Sequence, residues 1–176
     1  DGNWQPQYDL AWRTFQAKLT TEFIAWQAEI VREYARDDQF VTTCVAYERP
    51  TVDDANLTRA LDVTAGNPYY GMQDALAVPT MSVAPQGWTT SGAWSLFLSA
   101  DRMHASKQAP FLITETNAGA IGGSATNFPA YDGQWRQAAW AFVARGAEMI
   151  EYWHWHTNRH PNANRDPCAT AGSSCG

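Results

Sequence analysis

Apolar residues recur at steps of three and four over the first part of the chain, the spacing of one face of an amphipathic helix. The side chains on this apolar face are Trp12, Phe15, Leu19, Phe23, Trp26, Ile30 and Tyr34. Shorter patterns predict helices at 52–60, 93–106 and 132–145. Between the helices lie apolar or β-branched runs typical of strands, at 40–46, 61–67, 109–116 and 148–156.

Helices that alternate with strands indicate an α/β fold with a parallel sheet. The chain has no Gly-x-Gly-x-x-Gly and no phosphate-loop motif, so a nucleotide-binding fold lacks its fingerprint. The predicted strands are too few to close an eight-stranded barrel, which typically needs about 250 residues. We therefore predict a partial (β/α)8 TIM barrel over residues 1–157, followed by an irregular tail at 158–176. The Gly/Pro/Ser-rich stretch 69–92 is predicted to be a functional loop.

Composition and charge narrow the class of protein. The 176 residues are 45% hydrophobic and 17% charged, which is typical of one globular domain. A net charge of −6 without a basic stripe argues against a nucleic-acid partner. No apolar run approaches the roughly 20 residues of a membrane-spanning helix. The three cysteines do not form the spacing of a disulfide framework.

The strongest chemical candidate is Glu115, which follows the apolar run 111–113 at the end of a predicted strand. In a parallel barrel the C-terminal strand ends face the substrate pocket, and a carboxylate there is seldom needed for folding. Retaining glycosidases use such a carboxylate together with a second one roughly 5–5.5 Å away. Glu115 is therefore predicted to be a catalytic carboxylate of a sugar-cleaving enzyme.

Several side chains near the predicted strand ends suit sugar binding. Aromatic rings pack on the apolar face of a sugar, while amide, phenol and imidazole groups read its hydroxyls. The predicted substrate-binding residues are Asn67, Tyr69, Phe128, Trp153, His154, Trp155 and His156.

The main competing hypothesis to a sugar-binding site is a metal site. His154 and His156 are two residues apart and therefore share one face of a strand, a spacing that can bind a metal. No matching set of Asp, His or Cys follows the other predicted strands, so we predict no metal site. We also predict no organic cofactor. The histidines are predicted to contact sugar hydroxyls instead.

Five segments, in this order and spacing, resemble glycoside hydrolase family 42, the β-galactosidases built on a (β/α)8 barrel. They are 40–43, 61–63, 67–69, 110–116 and the stretch from 145 to 157. The resemblance implies that the chain is the C-terminal half of the catalytic barrel, strands five to eight with their helices. It also implies a β-galactoside substrate and a full-length enzyme that forms a trimer.

On this resemblance Glu115 corresponds to the family's nucleophile, and Asn67 with Tyr69 to the segment that lines the galactose site. Phe128 stands near where the family usually has a substrate-contacting tryptophan. The family's acid/base glutamate belongs to an Asn-Glu pair after strand four, and this chain contains no such pair. The chain alone is therefore expected to be inactive.

Three alternatives stay open from the residues themselves. A different barrel glycosidase, such as a β-mannanase or cellulase, would also have a catalytic glutamate at this strand end. A metal-dependent barrel hydrolase would use His154 and His156. A non-catalytic carbohydrate-binding remnant would bind galactose without cleaving it.

Overall fold

The computed structural model describes residues 5–47, 51–77, 82–83, 90–118 and 129–153. Its helices are α1 (Pro6–Tyr34), α2 (Asp54–Arg59), α3 (Asp74–Ala77), α4 (Ala93–Lys107) and α5 (Gln134–Val143). Its strands are β1 (Thr64–Gly66), β2 (Ser82–Val83), β3 (Thr90–Ser91), β4 (Phe111–Asn117) and β5 (Ala147–Trp153). The predicted helices and the last three predicted strands are present, and α3, β2 and β3 are additional elements within 69–92.

Strands β1, β4 and β5 form a parallel sheet in that order. Gly66 is in register with Ile113, which is in register with Ile150. Helix α4 connects β1 to β4, and α5 connects β4 to β5. Because the strands are parallel, their C-terminal ends lie along one edge of the sheet, the edge at which open and closed α/β folds bind ligands.

One face of the sheet is packed against these connecting helices. Phe111 and Ile113 of β4 are buried in one apolar cluster with Leu96 and Met103 of α4 and Phe142 of α5. Fully burying one such side chain contributes about 1.5–3 kcal/mol. The cluster therefore holds the strands, and with them the positions of their C-terminal ends.

The long helix predicted from apolar spacing is present, and its apolar face is exposed. The side chains of that face, from Trp12 to Tyr34, are between 40% and 82% exposed. Helix α1 contacts the core through another stripe, on which Ala28 is buried and Ile24 partly buried. The periodicity of large apolar residues therefore identified the helix but not the partner that covers each stripe. No described helix has the length and apolar character needed to cross a membrane.

The first predicted strand, 40–46, makes only an isolated parallel bridge, between Val45 and Gly66. Nearer its start, one backbone hydrogen bond, from the Asp62 N–H to the Val41 carbonyl at 2.9 Å, is supplemented by side-chain hydrogen bonds. The Asp62 carboxylate accepts the Val41 N–H at 2.7 Å and also accepts a hydrogen bond from Arg32 of α1 at 2.7 Å. These two hydrogen bonds lower the pKa of Asp62. Asp62 thus ties α1 and the segment before Val45 to the sheet, far from the C-terminal strand ends.

Candidate functional site

Glu115 lies near the C-terminal end of β4, the central strand of the sheet. Its side chain is partly buried. The hydroxyl of Tyr69 donates a hydrogen bond to Glu115 Oε2 at 2.7 Å. Because Tyr69 follows the end of β1, this hydrogen bond joins two neighbouring strand ends. Two of the residues predicted to form the site are therefore in direct contact.

The ionisation of Tyr69 follows from this contact. Burial raises the pKa of the Tyr69 phenol most, and the hydrogen bond to Glu115 and the charge of that carboxylate raise it further. A phenol with a raised pKa keeps its proton at neutral pH. Tyr69 therefore acts as a hydrogen-bond donor that orients one oxygen of Glu115.

Asn67 lies beside this pair. Its side-chain Oδ1 accepts a hydrogen bond from the hydroxyl of Thr114 at 2.9 Å, and Thr114 directly precedes Glu115 on β4. The next hydroxyl on the strand, that of Thr116, donates to the carbonyl of Pro68 at 2.8 Å. The segment after β1 is thus attached by side chains to the end of β4.

Asn117 makes the most buried of these attachments, since it has no exposed surface. Its Oδ1 accepts the N–H of Tyr70 at 3.2 Å, and its Nδ2 donates to the carbonyl of Tyr70 at 2.8 Å. Asn117, Thr114 and Thr116 were not among the residues predicted from the sequence to form the site. A usable signal was present, because polar residues that directly continue a buried strand need hydrogen-bond partners.

Trp153 is the last residue of β5 and lies at the same edge of the sheet. It is in register with Asn117, and its carbonyl accepts the N–H of Ala118 at 3.2 Å. The Trp153 side chain is exposed. Trp153 therefore presents a large exposed ring at the edge of the sheet at which Glu115 also lies.

The other predicted substrate contacts, Phe128, His154, Trp155 and His156, lie outside the described residues. Within the described ranges, no group of three or more His, Cys, Asp or Glu side chains could hold a metal ion. Because both histidines lie outside those ranges, the metal-dependent alternative stays a hypothesis.

The arrangement at this edge suits chemistry by a carboxylate. One oxygen of Glu115 is oriented by a neutral phenol, and the surrounding polar atoms belong to neighbouring strand ends of one sheet. A carboxylate held in this way can attack an electrophilic carbon or stabilise a developing positive charge.

Comparison with known proteins gives the family. The model of glycoside hydrolase family 42, described as beta-galactosidase, matches residues 2–165. No curated protein sequence matches the chain.

Among solved structures, the fold is similar to that of a polyextremophilic beta-galactosidase from the Antarctic haloarchaeon Halorubrum lacusprofundi. The match has a TM-score of 0.68 and 22% sequence identity, and it covers 83% of this chain and 22% of that protein. The chain thus spans less than a quarter of that protein's length. The likeness shows an α/β fold of parallel strands and helices similar to part of a β-galactosidase TIM barrel. Because the family model matches most of its residues, the chain belongs to glycoside hydrolase family 42.

Proposed function

We propose that the chain supplies the nucleophile half of the active site of a retaining β-galactosidase, with Glu115 as the nucleophile. The observation that carries the proposal is the 2.7 Å hydrogen bond from the Tyr69 hydroxyl to Glu115 Oε2 at the C-terminal edge of the sheet. A nucleophilic carboxylate needs one oxygen aligned with the anomeric carbon. The phenol supports that alignment without neutralising the carboxylate, because its raised pKa keeps the proton on Tyr69.

The reaction proceeds in two displacements at the anomeric carbon. In the first, a carboxylate oxygen of Glu115 forms a bond to that carbon while the bond to the leaving oxygen breaks and an acid/base glutamate protonates the leaving oxygen. In the second, the same glutamate takes a proton from water, whose oxygen displaces Glu115 and releases galactose. The configuration of the sugar is retained because each displacement inverts it.

The acid/base glutamate is proposed to lie after strand four of the barrel, outside this chain. On this proposal the chain provides strands five to eight. The exposed apolar face of α1 supports it, since a large exposed apolar patch usually marks a surface that another structural element or partner covers. The preceding strands and helices of the same barrel would cover that face. The full-length enzyme is proposed to be a trimer, as the family resemblance implies.

Roles in substrate binding are also proposed for the other residues predicted to contact the sugar. Asn67 and Trp153 lie on the same edge as Glu115 and are proposed to bind a galactose hydroxyl and to stack on the sugar ring, respectively. The same substrate-binding role is proposed for Phe128, His154, Trp155 and His156.

The proposal is tested by the substrate preference and stereochemistry of the full-length enzyme that contains this chain. Aryl β-galactoside is expected to be hydrolysed with β-galactose as the first product detected by NMR, because of the two inversions. Aryl β-mannoside and β-glucoside serve as matched substrates, and activity is expected to persist in a metal chelator. α-Galactose as the first product would contradict the mechanism. Preference for mannoside or glucoside would favour a different barrel glycosidase, and loss of activity in chelator would favour the metal-dependent one.

A further inference from the structure

On the side that faces β4, the segment after β1 is held by side chains rather than by a backbone ladder. On its other side the Tyr69 carbonyl accepts the N–H of Thr90 in β3 at 3.1 Å, and the Gly71 N–H donates to the Thr90 carbonyl. Parallel pairing between β1 and β4 ends with Gly66 and Ile113. Pro68 follows, and a proline has no N–H to donate to a ladder. The side chains at the end of β4 continue the attachment instead, with Thr116 bonded to the Pro68 carbonyl and Asn117 to the main chain of Tyr70.

The Asn117 side chain pairs with the main chain of Tyr70 in place of a neighbouring strand. Its amide accepts one hydrogen bond from Tyr70 and donates one to Tyr70, as the main chain of a neighbouring strand would. The side chain is fully buried, so that neither partner can exchange these hydrogen bonds for water without moving. The backbone of Asn117 is itself anchored, because it is in register with Trp153 of β5.

A second amide holds the same segment further along. Gln134, at the start of α5, accepts the N–H of Gln73 at 2.9 Å and donates to the carbonyl of Gln73 at 2.9 Å. Gln73 has a positive φ of 54°, a conformation that a non-glycine residue seldom adopts without support. The segment that carries Tyr69 is therefore clamped at Tyr70 and again at Gln73.

We propose that Asn117 is a positioning residue for the reaction, which holds the main chain at Tyr70 so that the adjacent Tyr69 hydroxyl stays on Glu115. Glu115 and Asn117 are two residues apart on β4, and Tyr69 and Tyr70 are consecutive, so the hydrogen bonds close a small ring across the strand ends. Asn117 acts through Tyr69, not on the substrate. The inference rests on the proposed role of Glu115 as nucleophile.

The kinetic test is a double-mutant cycle in the full-length enzyme, with Tyr69→Phe, Asn117→Ala and both together. Removing a hydrogen bond to a charged group is expected to lower kcat/KM for aryl β-galactoside about 10- to 100-fold in Tyr69→Phe. Asn117→Ala is expected to lose a similar factor. If Asn117 acts through Tyr69, the double variant loses no more than about twofold beyond Tyr69→Phe. If the losses in kcat/KM of the two single variants multiply in the double variant, the proposal is overturned.

A matched control separates positioning from general destabilisation. Thr58 of α2 is also fully buried, and its hydroxyl donates to the carbonyls of Asp54 and Ser106. Thr58→Ala is expected to lower thermal stability but to keep kcat/KM within about twofold of the wild-type value. Asn117→Asp keeps the acceptor for the Tyr70 N–H but sets a buried carboxylate oxygen against the Tyr70 carbonyl, so it is expected to be no more active than Asn117→Ala. If Asn117→Ala does not fold, the same cycle is run with Asn117→Ser, whose shorter side chain also loses both hydrogen bonds to Tyr70.

A crystal structure of the Asn117 variant gives a readout that needs no substrate. The Tyr69 hydroxyl is expected beyond hydrogen-bond distance of Glu115 in the variant and within it in wild type. A full-length enzyme that cleaves no galactoside would defeat the proposed function, yet the displacement of Tyr69 would still decide the positioning role. An unmoved Tyr69 in the variant structure would overturn the inference even if the enzyme is an active galactosidase.

Discussion

Replacing Glu115 by glutamine in the full-length enzyme is expected to lower kcat for aryl β-galactoside on the order of 10⁴-fold or more, the scale found when a catalytic nucleophile is removed. Glutamine has nearly the same shape and still accepts the hydrogen bond from Tyr69. It lacks the negative charge and the nucleophilic oxygen that form the bond to the anomeric carbon. The substitution therefore removes the chemistry and leaves the packing at the end of β4 almost unchanged.

Steady-state kinetics measure this loss, and thermal unfolding checks that the variant is folded. Glu148→Gln is the matched control, because Glu148 is an exposed carboxylate near the N-terminal end of β5, at the opposite end of the sheet. The control is expected to retain wild-type activity within about twofold, since substitutions of exposed residues away from the active site and the core usually have small effects. Retention of substantial activity by Glu115→Gln would remove Glu115 from the role of nucleophile.

The 176-residue chain by itself is expected to show no galactoside hydrolysis above background, and activity is expected to return when it is combined with the preceding part of the barrel. The physical reason is that a retaining mechanism needs two carboxylates about 5–5.5 Å apart. The chain supplies Glu115, and the Asn-Glu pair that carries the acid/base residue is proposed to lie in the other part. Activity assays of the chain, of the preceding segment and of their mixture measure this.

The exposed face of α1 provides the control for that experiment. Phe23 and Trp26 are more than half exposed, and their rings contact each other at a centroid distance of 5.8 Å. Aspartate at both positions is expected to keep the helix, whose described core contact is made by other residues, and to prevent recovery of activity in the mixture. If this face is buried against the preceding part of the barrel, burying two aspartates there would cost several kcal/mol of binding free energy. Turnover by the purified chain alone would show that it needs no second half.

The order of the longer helices and of the strands β1, β4 and β5 was predictable from the sequence, as was the location of the leading catalytic candidate. An apolar run that ends in a polar residue identified β4, and parallel topology then placed Glu115 at the C-terminal edge of the sheet. The same rule placed Tyr69 after β1 and within reach of Glu115. These predictions depend on local periodicity and on the rule that strand ends share an edge. Both properties are carried by short stretches of sequence.

Orientation and long-range side-chain contacts were not predictable in the same way. The apolar spacing in α1 identified a helix, but the side that contacts the core carries Ile24 and Ala28 rather than the large rings. The strand predicted at 40–46 makes only an isolated bridge, and at its start the Asp62 carboxylate accepts the Val41 N–H. Each of these outcomes depends on a partner distant in sequence.

The polar support of the site was missed for a related reason. Asn117 reads in sequence as the residue that ends a strand, and its role appears only when Tyr70 is brought beside it. A buried amide that bonds a main chain 47 residues away leaves no local pattern. Glu115 and Tyr69 were selected from the sequence because their chemistry is recognisable from residue type, and the structure brings the two side chains into contact. Residues that position them are recognisable only from contacts.

Covalent trapping tests the central claim most directly. The full-length enzyme is incubated with a 2-deoxy-2-fluoro β-galactoside that carries a good leaving group. The fluorine slows both displacements, and the leaving group restores only the first, so the glycosyl-enzyme accumulates. Mass spectrometry of the digested protein is expected to find one added fluorogalactosyl group on the peptide that contains Glu115, and none in Glu115→Gln. A label on another carboxylate, or equal labelling of the variant, would contradict the assignment of Glu115 as the nucleophile.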